Sequence, residues 1–267
     1  MQPDEISKVV HKVVERVVRR LEDTTHGDLP APADERMFSE RRVRLQQAIA
    51  EGACRVTPQA IPLDECCDLA PMIEIALLRP DAREADIRGL CREAIERGFV
   101  SVCVALDWIE VVALSLKGFN SRACVPVGFP SGGISTEFKA AEIRRAVALG
   151  ADEVDVVMNL DRLRDGDYRT VVEDLQSACR AAQGRTVKAV IEAAELTNEQ
   201  KVAAAILAKS AGASLVKSST GFGPDGVTVG DVALIRGALT GRANLTQTAK
   251  PEWPSRVGAV VCVAVAT

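Results

Sequence analysis

From Met72 onward the chain alternates between short apolar runs and amphipathic stretches, and this alternation constrains its fold more than any single residue. The apolar runs are "MIEIALL", "FVSVCVAL", "ACVPVGF", "EVDVVMNL", "TVKAVIEA" and "SLVKSST". Between and after them come "DAREADIRGLCREAIERG", "WIEVVALSLKG", "STEFKAAEIRRAVALG", "YRTVVEDLQSACRAAQG", "TNEQKVAAAILAKSAG" and "TVGDVALIRGAL", each with helical spacing of its apolar positions. Strands joined by helices run parallel, because parallel neighbours need crossover connections. A (β/α)8 barrel and an open doubly wound sheet both fit this pattern. Glycines at 98, 150, 184 and 212 are expected to end helices ahead of the next strand.

Strands covered on both faces should be nearly continuous apolar runs, so charges inside them are informative. Asp155 interrupts "EVDVVMN", Lys188 interrupts "VKAVIE" and Lys217 ends "SLVK". Unpaired buried charge is costly, so these three are expected to face one another or a wet pocket. Alternation puts Lys188, Val190 and Glu192 on one strand face and points the lysine into the barrel. An ordinary buried ion pair accounts for Asp155 and one lysine, but the second lysine then lacks a counterion. A neighbouring cation and desolvation both favour a neutral amine, which is the form that adds to a carbonyl. Schiff-base chemistry is the sharper expectation.

Composition narrows the remaining classes. The chain has 267 residues, 47% hydrophobic and 26% charged, with a net charge of −4. That balance offers no general attraction to nucleic acid or to an anionic membrane. No uncharged run approaches the ~20 residues needed to span a bilayer. The eight cysteines form no C-x-x-C pair and no zinc-finger spacing, so neither a metal nor a cofactor is expected, and a reduced cytoplasmic protein is the simplest reading.

The residues at these positions carry a resemblance. "LLRPDA", "GFVSVCV", "VPVGFPSGGISTEFKAAE", "GADEVDVVMN", "VKAVIEAAEL" and "AGASLVKSSTGF" occur in order, and together they resemble the deoxyribose-phosphate aldolases, class I aldolases on a (β/α)8 barrel. The resemblance implies that Lys188 forms the Schiff base, Lys217 tunes it and Asp155 handles protons. It further implies substrate contacts from Glu74, Cys103 and Glu192, with backbone N–H groups of Thr220 and Gly221 near a phosphate. The implied reaction is metal-free cleavage of 2-deoxy-D-ribose 5-phosphate to acetaldehyde and D-glyceraldehyde 3-phosphate.

Departures from the family pattern accompany the matches. Where the family usually carries Asp-His-Thr, this chain has Glu74, Ile75 and Ala76, and Ala193 stands where Thr tends to follow Glu. The tail "TGRANLTQTAKPEWPSRVGAVVCVAVAT" lacks the glycine-rich segments that bind phosphate in the family. From Met72 the chain is slightly shorter than the ~200 residues such a barrel usually needs. The barrel is therefore expected to be incomplete at its C-terminal end, with "VGAVVCVAVA" supplying one further strand. A catalytically weakened relative acting as cargo or assembly component is the alternative these changes raise.

Residues 1–23 form a separate expectation. "DEISKVVHKVVERVVRRLED" places valines at i, i+3, i+4 and i+7, the apolar stripe of an amphipathic helix. A linker and accessory helix over 24–71 follow, then the aldolase-like domain over 72–267. A short helix ahead of a linker and an enzyme domain resembles an encapsulation peptide, which implies docking of residues 4–22 to microcompartment shell proteins and residence in the compartment lumen. Packing on its own barrel or on a second subunit of a homo-oligomer is the plainer reading.

Overall fold

A computed structural model describes residues 15–16, 70–223, 227–242 and 259–260 of the chain. The helix expected over 1–23 and the accessory helix expected within 24–71 lie outside the described residues, apart from Glu15 and Arg16, which are helical. Arg16 pairs with Glu199 at 2.7 Å, but both side chains are partly exposed, so the pair adds little stability.

The alternation becomes a parallel sheet. After a short 3-10 turn at Ala70–Met72, the elements are β1 (Glu74–Leu77), α1 (Glu84–Arg97), β2 (Ser101–Val104), α2 (Ile109–Ser115), β3 (Arg122–Val127), α3 (Thr136–Ala148) and β4 (Glu153–Val157). There follow α4 (Leu160–Asp165), α5 (Tyr168–Ala181), β5 (Thr186–Val190), α6 (Asn198–Ala211), β6 (Leu215–Lys217), α7 (Val229–Arg242) and β7 (Ala259–Val260). Strand order is β1-β2-β3-β4-β5-β6-β7 and every pairing is parallel. Consecutive neighbours throughout describe a winding in one direction, which belongs to a barrel rather than a doubly wound sheet.

The sheet is curled. In a flat sheet β1 and β6 would stand five strand spacings apart, about 24 Å. Yet Lys217 Nζ of β6 lies 2.8 Å from Glu74 Oε1 of β1. The interior is thus enclosed by six strands and two residues of a seventh, and among the described residues β1 and β7 do not pair. Ala259 and Val260 come from "VGAVVCVAVA" and sit beside Val216 and Lys217, where a further strand was expected.

The strands are shorter than the apolar runs that announced them, since their C-terminal residues turn into loops. After β4 the chain forms α4, a helix the alternation did not reveal, because Asn159 interrupts the run and its side chain accepts from Arg162 N at 3.1 Å. The expected helix stops at Gly98 and Gly212 hold, both residues adopting left-handed conformations after α1 and α6. Helix α6 is buried around most of its circumference because α5 and α7 flank it. The core joins the outward faces of the strands to the inner faces of these helices through Val102, Val125, Val156, Ala189 and Val216, among others. Among the described residues no helix is long and apolar enough to cross a membrane.

Candidate active site

The interior of the curled sheet is lined by charge. Asp155 on β4 is the register partner of Lys188 on β5, so their side chains leave the sheet side by side. Lys217 pairs with Val190, which sets it one inward-facing level nearer the strand ends than Lys188. All three side chains are buried.

The two amines share carboxylates. Lys188 Nζ lies 2.9 Å from Asp155 Oδ1 and 2.9 Å from Glu153 Oε2, and it also contacts Glu74 Oε2. Lys217 Nζ contacts Asp155 Oδ2 and donates to Glu74 Oε1 at 2.8 Å. Glu74 and Asp155 therefore each use one oxygen on each lysine. Ser101 Oγ adds a bond to Glu74 Oε2 at 2.6 Å. The Cys124 thiol donates to Asp155 Oδ1 at 3.3 Å and accepts from Lys188 Nζ at 3.4 Å.

The protonation pattern follows from this packing. Burial opposes the Lys188 ammonium, but the carboxylates of Asp155, Glu74 and Glu153 outweigh it and hold the pKa well above the ordinary lysine value. Burial likewise opposes the Glu74 carboxylate, yet Lys188 and Lys217 hold its pKa well below the usual range. Burial, with the neighbouring Cys103 and Asp155, pushes the Cys124 thiol upward, so it stays protonated.

The expected neutral Lys188 is therefore corrected for the protein without substrate. The second cation is present, but three carboxylates surround the amine where one was anticipated. The argument that one lysine would lack a counterion falls with it, because Glu74 and Glu153 supply the missing charges. Glu153 escaped notice since it opens its strand, where a charge is ordinary, and Cys124 escaped because it reads as apolar.

The remaining expected residues divide between two places. Glu74 and Cys103 belong to the lysine cluster. Cys103 is the register partner of Cys124, and the donor atoms of Glu74, Cys103, Cys124 and Asp155 all lie within 4.8 Å of one another. Such a set has the makings of a metal site, but the two ammoniums already neutralise its carboxylates. Glu192, Thr220 and Gly221 form a second cluster at the loop after β6. There the Glu192 carboxylate accepts from Thr220 N at 2.9 Å, from Thr220 Oγ1 and from Ser219 Oγ at 3.0 Å. Gly221 N donates to Ser219 Oγ at 3.0 Å, so both expected phosphate donors are engaged within the chain.

The site is thus a buried lysine beside a second lysine and a shared aspartate, and comparison with known proteins gives its family. The profile of the DeoC/LacD family aldolases matches residues 63–264. Deoxyribose-phosphate aldolase of Clostridium perfringens strain SM101 is 46% identical over 169 residues, covering 63% of this chain and 75% of that protein. The enzyme of the same name from Methanocella arvoryzae is 45% identical over 174 residues, covering 64% and 78%. The tetrameric deoxyribose phosphate aldolase of Aeropyrum pernix superposes with a TM-score of 0.60 at 27% identity, covering 73% of this chain and 78% of that one. This chain belongs to the DeoC/LacD aldolase family and is a carbon–carbon lyase of the aldolase type.

Proposed function

We propose that the protein is a class I aldolase that cleaves 2-deoxy-D-ribose 5-phosphate to acetaldehyde and D-glyceraldehyde 3-phosphate, with Lys188 as the imine-forming amine. The observation that carries this reading is one carboxylate, Asp155, held between two buried lysines on neighbouring strands. The names of the relatives support the substrate.

Lys188 rests as an ammonium and must first lose a proton. Asp155 and Glu74 both touch it and are the acceptors at hand. The freed lone pair adds to C1 of the open-chain sugar, and loss of water leaves a protonated imine. Asp155 takes the C3 hydroxyl proton as the C2–C3 bond breaks, and its electrons pass into the imine to give an enamine. Lys217, bonded to the same carboxylate, returns the proton toward C2, and hydrolysis releases acetaldehyde. Assembly as a homo-oligomer is part of this proposal, supported by the tetrameric Aeropyrum pernix relative.

The test is reductive trapping. Incubation with 2-deoxyribose 5-phosphate and borohydride is expected to leave a mass adduct on the peptide carrying Lys188, and none there in Lys188→Ala. An adduct confined to other lysines would exclude the assignment.

A further inference from the structure

Glu153 occupies an unusual position in the charge cluster. Its Oε2 lies 2.9 Å from Lys188 Nζ while its Oε1 accepts from Arg122 at 2.8 Å. The glutamate side chain is 5% exposed and the arginine 52%. Arg122 and Glu153 are the first residues of β3 and β4, so the guanidinium stands at the N-terminal mouth of the curled sheet. Active sites of such barrels open at the other mouth. One carboxylate thus joins the buried amine to solvent at the end away from the chemistry.

We infer that Glu153 is a positioning residue for Lys188 and that Arg122, reaching it from the N-terminal mouth, sets how firmly it holds the amine. The inference rests on Lys188 being the reactive amine. Charge counting supports it: the interior holds Glu74, Glu153 and Asp155 against Lys188 and Lys217, and Arg122 is the third cation. The other groups facing Lys188 are Cys124 on β3 and, close to that thiol, Cys103 on β2. Glu74 and Asp155 are each shared with Lys217, whereas Glu153 is shared with a cation that solvent reaches. It is therefore the contact that a change outside the pocket can loosen or tighten.

The two partners have opposite effects on the amine, and the experiment uses that opposition. Reductive methylation with formaldehyde and cyanoborohydride reads the free-amine fraction of Lys188 by peptide mass spectrometry, with exposed Lys117 as internal reference. At about pH 8, loss of the adjacent negative charge in Glu153→Gln is expected to speed methylation of Lys188 about tenfold. Arg122→Gln leaves Glu153 undivided for the amine, so methylation is expected to slow. Opposite changes uphold the inference; equal rates in all three proteins, or changes of one sign, overturn it. Arg122→Gln alters a half-exposed side chain and carries the test alone if Glu153→Gln does not fold. Sugar trapping runs beside it: opposite methylation changes without a sugar adduct reject the aldolase reading alone, and an adduct with equal rates rejects this inference alone.

Discussion

Glu74 sits at the start of β1 with each carboxylate oxygen on a different lysine. The family resemblance implies a substrate contact for it, and in the structure it is a counterion of both amines. Its folded pKa lies below the unfolded value of about 4.3, so its contribution to stability is full above that pH and is lost as pH falls toward the folded value. Lys188 is the mirror case: its folded pKa is raised, so its contribution is full below the unfolded value of about 10.4 and is lost only as pH rises through the folded one. Urea unfolding is expected to show a stability plateau through neutral pH and a decline below about pH 4. Glu74→Gln should be less stable at neutral pH and should decline less on acidification. An equal acid decline in both proteins would remove Glu74 from that account.

At the scale of elements, the outer helices are tied down by a buried ion pair that nothing in the helical pattern announced. Lys139 of α3 is 1% exposed, and its Nζ donates to Asp174 Oδ2 of α5 at 2.6 Å and to the Val157 carbonyl at the end of β4 at 2.9 Å. Thr136 Oγ1 holds the other Asp174 oxygen at 2.8 Å. Lys139→Ala leaves Asp174 buried without its cation, and thermal unfolding is expected to show a loss of about 3–5 kcal/mol. The reciprocal apolar swap Lys139→Met/Asp174→Leu is expected to recover part of it. The loop from β3 to α3 has its own constraint at Gly132, whose φ is +71°. A Cβ there would stand 2.0 Å from the Met158 carbonyl oxygen, a backbone atom that cannot swing aside. Gly132→Ala is expected to cost at least about 2 kcal/mol, measured by chemical denaturation, with the β3–α3 loop displaced from the end of β4.

For the whole molecule the defining feature is the curl, because it brings β1 to β6. Glu74 and Lys217 are 143 positions apart in sequence and 2.8 Å apart in space. A double-mutant cycle with Glu74→Ala, Lys217→Ala and their combination is expected to show a coupling of about 1–3 kcal/mol in unfolding free energy. Additive effects would mean that backbone pairing and apolar packing curl the sheet without help from this contact.

Much of the architecture was readable because its signals are local. Alternating strand and helix patterns specified a parallel sheet, and charges inside apolar runs exposed Asp155, Lys188 and Lys217, since a buried strand has no ordinary use for them. Side-chain alternation also put Lys188 inside. What stayed hidden depended on position in space. Glu153 looked like a solvated strand start, Lys139 like a surface helix residue and Cys124 like packing, and each gained its role from a partner on another element.

The sequence by itself therefore determined the order and kind of the alternating strands and helices, α4 excepted, and the identity of the two reactive-looking amines. Tertiary structure alone decided the charge of Lys188. Whether a buried lysine is neutral or protonated depends on how many carboxylates stand within a few ångströms of it, and only the curl of the sheet brings Glu74 to the group that β4 and β5 begin.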